Sequence, residues 1–146
     1  MRKFEKVKRL KGEEIELPKR STKGSAGYDF KSVEDVFISF QGVTYVRTGI
    51  KARMEDDEIL MLCNRSSNPK KKELVLINGV GIVDSDYYGN EENDGEIMFA
   101  FKSLNEGGSW IRKGDKIGQG IFIKFGKVEG DEADGERAGG FGSTGA

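Results

Sequence analysis

The chain has 146 residues, 36% hydrophobic and 34% charged, with a formal net charge of −1. That is one domain's length with apolar material for a single core, and the near-balance of charge removes any general electrostatic drive toward nucleic acid or an anionic membrane. Histidine is absent and Cys63 is the sole cysteine, so histidine-based triads, histidine-ligated zinc, multi-cysteine metal sites and an internal disulfide framework are closed to a single chain. A general base is then expected to be a carboxylate, and a metal to be a hard, oxygen-bound one. No apolar run reaches the ~20 residues of a spanning helix. The start, Met1 to Lys6, lacks the apolar stretch of a signal peptide, which reads as a cytoplasmic protein.

Twenty-one glycines and few alanines disfavour long helices. In chain order, strands are expected at Val36 to Phe40, Val43 to Ile50, Glu58 to Cys63, Leu74 to Ile77, Val80 to Val83, Glu96 to Phe101 and Ile117 to Phe125. Each has the length and the β-branched or aromatic content of a strand. Many short strands with glycine-rich turns predict an all-β sandwich or barrel. Asn78-Gly79, flanked by apolar runs, predicts a tight β-hairpin that delivers Asp84 at its end. Cys63, closing an apolar run, reads as a buried core thiol with nothing nearby to lower its pKa. Lys70 to Lys72 read as a solvated turn. Asn90 to Gly95 lacks the spacing of a calcium loop and reads as a surface loop.

Residues 127–146 change character, first acidic and polar, then mostly glycine, so the division expected is a core over 1–126 and a flexible arm over 127–146. Composition leaves two readings of that arm. It is a frayed tail, or it orders over a phosphorylated ligand with Arg137 and backbone N–H groups taking the charge. A P-loop is rejected, because the Gly-Lys-Ser/Thr order and the following helix are missing.

Five segments, in order, carry a resemblance that none of them would carry alone. They are Ser25-Ala26-Gly27-Tyr28-Asp29-Phe30, Arg65-Ser66-Ser67, Asn78 to Gly89, Gly114 to Gln119, and Arg137 with Gly139 to Gly145. Together they resemble the five motifs of the trimeric dUTPase family. The resemblance implies an all-β, β-clip or distorted jelly-roll barrel with a flexible C-terminal arm, assembled as a homotrimer whose sites are shared between chains. It implies hydrolysis of dUTP to dUMP and pyrophosphate with Mg²⁺, keeping uracil out of DNA and supplying dUMP.

The residue roles follow from the same resemblance. Asp84 would activate the water, with Gln119 and Arg137 completing the catalytic set. Arg65, Ser66 and Ser67 would hold phosphates. Asn78, Gly81 and Val83 would read uracil largely through backbone groups, and Tyr87 would pack on the deoxyribose and exclude a 2′-hydroxyl. In the arm, Phe141 would stack on the base, while Gly142, Ser143 and Thr144 would close on the phosphates. Asp29 would serve Mg²⁺ through water. The partners implied are dUTP and further copies of the chain, with no nucleic acid and no membrane.

Two departures stand out: Asn64 and Glu73 occupy places near the second motif where the family usually has glycine or proline. A dCTP deaminase of the same fold is the nearest rival. It is opposed by the Phe-Gly-Ser-Thr ending and by Asp84-Ser85-Asp86-Tyr87. A nucleotide-sensing regulatory protein is a second rival, opposed by intact candidates for every catalytic role.

Overall fold

Alternation dictates the central strand. In Glu58–Asn64 the side chains of Leu60 and Leu62 turn into the core, while Ile59, Met61 and Cys63 are half-buried on the opposite face. The computed structural model describes residues 1–140, and within them the chain is almost entirely β. The strands are β1 (Lys3–Lys6), β2 (Tyr28–Lys31), β3 (Val36–Ile38), β4 (Thr44–Arg47), β5 (Ile50–Arg53), β6 (Glu58–Asn64), β7 (Leu74–Leu76), β8 (Gly81–Asp84), β9 (Met98–Ser103), β10 (Ser109–Ile111) and β11 (Lys116–Lys124). Short 3₁₀ turns at Lys8–Leu10 and Ser85–Tyr87 and one π-helical turn at Asn68–Lys72 supply the helix among the described residues.

Antiparallel pairing gives a four-stranded sheet in the order β2-β11-β6-β8, a three-stranded sheet β4-β9-β7, and the pairs β1-β5 and β10-β3. All four enclose one core. Phe30, Ile38, Val46, Leu60, Phe101, Ile111 and Ile117 come from seven different strands and are fully or almost fully buried. Phe30 meets Phe99 with ring centroids 5.6 Å apart, joining the two larger sheets. This is the closed all-β architecture expected of the sequence.

The differences from expectation are local. The run Val43 to Ile50 is two strands, because the chain turns at Gly49 (φ 71°); β4 then pairs with β9 and β5 with β1. Strands β1, β2 and β10 are only three or four residues long, and sequence periodicity did not reveal them. Cys63 is half-buried and faces away from the core, opposite Gln119 in the ladder, so it is not the core thiol expected. Lys70 and Lys71 are exposed, as a solvated turn requires, but Lys72 Nζ reaches Asp115 Oδ2 at 3.2 Å.

The Asn78-Gly79 turn is present, with Gly79 N donating to Leu76 O (3.0 Å) and Val80 N to Asn78 O (2.8 Å). It does not close a two-stranded hairpin. β7 pairs with β9 and β8 pairs with β6, so the turn carries the chain from one sheet to the other. Local chemistry encodes the reversal, but burial selects the partners: Leu76 lies opposite Phe101, and Val83 opposite Leu60. Because the two arms diverge, a space opens between them.

Candidate active site

That space is a cavity of about 400 Å³, within the range of small-molecule sites. One wall is the turn and β8, with Asn78, Gly81, Val83 and Asp84. Leu62, Phe99, Ala100, Tyr87 and Arg137 also line the cavity. Six of the residues expected at the site therefore meet in one place. Ile97 and Met98 on the β9 side, which the sequence did not single out, also line it.

Asp84 ends β8, and its Oδ2 accepts a hydrogen bond from Arg137 Nη2 at 2.6 Å. Arg137 Nε donates to Asp86 Oδ1 at 2.7 Å, and Arg137 Nη1 donates to Gly139 O at 3.1 Å. The hydrogen bond to Asp86 chiefly raises the Arg137 pKa; partial burial works against it, and the charge of Asp84 adds to it. Asp86 was not expected at the site. Its place two residues after Asp84, across the start of a 3₁₀ turn, is the signal that marks it. The arm's Arg137 thus rests on the β8 carboxylate of its own chain.

Tyr87 is 7% exposed, and its hydroxyl donates to Glu96 O at 2.7 Å while accepting from Asn93 Nδ2 at 2.8 Å. Burial raises its pKa, and the Asn93 bond partly opposes that shift. The loop from Asn90 to Gly95 is accordingly not the plain surface loop expected. Glu91 and Glu92 are exposed, but Asn90 and Gly95 are buried.

The remaining candidates lie elsewhere. Arg65, Ser66 and Ser67 follow β6 and lead into the π-helical turn, where Arg65 Nη1 donates to Lys116 O at 3.4 Å. Gln119 in β11 sits between Asp29 of β2 and Cys63 of β6. Its amide occupies the space over Gly27, where a Cβ would fall 2.0 Å from Oε1. Asp29 is half-buried, with Lys116 Nζ at 3.3 Å from its Oδ2.

The ladder measures the separation. Asp84 lies beside Ile59, and Gln119 beside Cys63, four positions further along β6. At ~3.3 Å per residue that is roughly 13 Å along the strand, and Arg65, six positions from Ile59, is about 20 Å away. Within one chain the candidate residues therefore fall into two separate clusters. Asp84 and Gln119 both lie on the outer face of the same sheet, which is otherwise lined by Ile59, Met61, Ile82, Ile121 and Ile123. Phe141, Gly142, Ser143 and Thr144 lie outside the described residues.

These features define a class: an all-β chain that sets a carboxylate, an aromatic ring and a guanidinium around one small-molecule cavity, with a second polar cluster on the same sheet. The dUTPase family model matches residues 13–145, and the chain belongs to the dUTPase family. It is 45% identical to the deoxyuridine 5′-triphosphate nucleotidohydrolase of Lactococcus lactis, over all of this chain and 99% of that one. It is 33% identical to the enzyme of the same name from Escherichia coli O9:H4, over 92% of this chain and 90% of that one. The dUTPase of Streptococcus mutans superposes with a TM-score of 0.81 at 40% identity, covering 87% of this chain and 98% of the other. The same fold recurs in the dUTPase of phage phi11 of S. aureus at 19% identity (TM-score 0.72), covering 92% of this chain and 97% of that one; a mutant of that protein coordinates a structural Mg(II) ion.

Proposed function

We propose that the chain is a dUTP diphosphatase, in which water attacks the α-phosphorus of dUTP and the bond to the bridging oxygen breaks, leaving dUMP and pyrophosphate. The observation that carries this reading is the convergence of Asn78, Gly81, Val83, Asp84, Tyr87 and Arg137 on one cavity. The two Lactococcus and Escherichia relatives, matched along nearly their whole length, supply the substrate.

In this reading the diverging arms of the Asn78-Gly79 turn receive uracil, whose polar edge pairs with backbone groups; a base with the wrong edge leaves buried groups unpaired. The Tyr87 ring packs on the deoxyribose. Asp84 holds the attacking water and takes its proton. Arg137 carries positive charge from the arm to the triphosphate, and Phe141, Gly142, Ser143 and Thr144 follow it as a lid. Arg65, Ser66, Ser67 and Gln119 grip phosphate oxygens from the second cluster. Because that cluster is too far from Asp84 in one chain, each site joins two or more chains. A homotrimer that covers the apolar face of the β2-β11-β6-β8 sheet satisfies both needs.

The donor set also bears on Mg²⁺. Among the described residues, no three acidic or thiol side chains converge on a point, whereas Asp29 is a half-buried carboxylate beside the second cluster. A half-buried carboxylate of this kind fits an ion held chiefly by the triphosphate and water, with Asp29 reached through water. When bound, the ion neutralises charge on the phosphate oxygens. No helix among the described residues is long and apolar enough to cross a membrane, and we place the protein in the cytoplasm, with residues 127–146 acting as the arm.

The test is pyrophosphate release by the purified protein with Mg²⁺ from dUTP, dCTP, dTTP and UTP. Release from dUTP alone is expected. Ammonia release from dCTP with no pyrophosphate from dUTP would replace this reading with a deaminase.

A further inference from the structure

Tyr87 reads the sugar only if its ring is held still. A 2′-hydroxyl differs from hydrogen by a single oxygen, so a ring free to tilt by a fraction of an ångström would admit it. The ring belongs to a short 3₁₀ turn, and its outer end is held by a loop that carries none of the family motifs. Tyr87 Oη donates its proton to Glu96 O (2.7 Å) and accepts one from Asn93 Nδ2 (2.8 Å). The orientation of the Asn93 amide follows from its other partners. Its Oδ1 accepts from Gly95 N (3.0 Å) and from Asn90 Nδ2 (3.1 Å), both N–H donors, so the oxygen faces them and the nitrogen faces Tyr87.

The support behind that amide is rigid. Asn90 N donates to Tyr87 O, and Asp94 N to Asn90 O, closing the loop on the turn that carries the ring. Gly95 stands at φ 76°, where a Cβ would fall 2.5 Å from Tyr87 O, so the loop passes as close to the turn as backbone allows. Glu96, whose carbonyl receives the Tyr87 proton, is 3% exposed. Its carboxylate is gripped by both terminal nitrogens of Arg9 (2.7 and 3.1 Å) and by Gly49 N (2.8 Å). Asp94 is fixed in turn by Lys8 N (2.8 Å) and Lys51 Nζ (3.0 Å). Glu96 and the Asn93 loop are thus each tied to other parts of the fold.

We infer that Asn93 is a positioning residue for sugar discrimination: through the Tyr87 hydroxyl it locks the ring against the deoxyribose and so sets the preference for dUTP over UTP. The inference rests on the proposed role of Tyr87. Asn93 does not touch the nucleotide and acts only through the ring.

The experiment compares kcat/KM for dUTP and UTP in the wild-type chain, Asn93→Ala, Tyr87→Phe, the double variant and Tyr87→Ala, with thermal melts of each. In Asn93→Ala the dUTP/UTP ratio is expected to fall by about tenfold, the scale on which a small steric difference is discriminated, through a lower KM for UTP. General loosening of the loop would instead raise KM for both nucleotides and overturn the inference. Tyr87→Phe keeps the ring and the loop but deletes the hydroxyl, so it is expected to lower the ratio by the same factor. The double variant is expected to match Tyr87→Phe alone, because the two residues act through one bond. Additive losses in the double variant, or an unchanged ratio in Asn93→Ala while Tyr87→Ala loses selectivity, would overturn this inference alone. A wild-type chain that uses UTP as readily as dUTP would overturn the role of Tyr87 and the inference with it.

Discussion

Arg137 Nη2 lies 2.6 Å from Asp84 Oδ2 while its Nε lies 2.7 Å from Asp86 Oδ1, so a single guanidinium from the arm bridges the two carboxylates at the end of β8. A planar fork with several donors suits that task, and a lysine would not replace it. Asp84 is the carboxylate assigned to the water. Asp84→Asn keeps an acceptor for Arg137 and the side-chain shape but removes the group that takes the proton. Turnover is expected to fall by roughly 10²–10⁴-fold, with dUTP binding retained in equilibrium titration. Full activity in this variant would remove Asp84 from its role.

Truncation after Glu136 separates the arm from the fold. Residues 125–136 are exposed throughout, and the core is closed by β11, which ends at Lys124. The truncated chain is expected to retain its circular dichroism spectrum and melting profile. Its turnover should drop on the order of 10²-fold or more, because the cation proposed to join the phosphates is gone. Unimpaired pyrophosphate release would leave the arm without a catalytic part.

Gly27→Ala tests the second cluster. The added methyl group would lie 2.0 Å from Gln119 Oε1 and 3.0 Å from Gln119 Cβ, so the amide must swing away. A misplaced phosphate or water contact is expected to cost about tenfold or more in turnover. Because Gln119 is half-buried on the outer face of its strand, stability should change by about 1 kcal/mol or less. A thermal melt and a pyrophosphate assay on the same preparation separate the two effects.

Glu73 precedes β7 in the left-handed region, at φ 54° and ψ 36°. An L side chain costs about 1–2 kcal/mol there, a cost that glycine does not carry. Glycine relieves that cost but returns about 0.4–1 kcal/mol through the freedom of the unfolded chain. Glu73→Gly is therefore expected to stabilise the protein by up to about 1.6 kcal/mol, read as a higher urea midpoint at unchanged slope.

Asp94 links the loop behind Tyr87 to pH. Burial alone would raise its pKa, but the Lys8 backbone N–H and the Lys51 ammonium outweigh burial and hold it below its ordinary 3.8. In the window between the folded and unfolded values the unfolded chain binds more protons, so stability rises with pH. The contribution is present above 3.8 and is lost as pH falls through the lower folded value. Asp94→Asn is expected to flatten that acid limb in urea titrations, and an unchanged limb would remove Asp94 from this role.

The sequence by itself determined the all-β class, most of the longer strands and the family. Those features are written in short-range terms: β-branched alternation, glycine-rich turns, and five motifs in order. The turn at Asn78-Gly79 was legible too, because its chemistry is confined to neighbouring residues. The divergence of its arms was not. Whether β7 pairs with β8 or with β9 depends on Leu76 finding Phe101 and Val83 finding Leu60, residues that only the folded core brings together. For the same reason the core strand Glu58–Asn64 was visible, but not that Cys63 would face outward beside Gln119. Asn93 was read as part of a surface loop, since asparagine in a polar run carries no mark of the hydroxyl it meets; folding back of the loop onto Tyr87 gives it one. Tertiary structure also decided how far Asp84 stands from Gln119 and Arg65, since the length of β6 sets that distance. Side-chain chemistry is local and readable, whereas distance across a sheet is fixed only when the strands choose their partners.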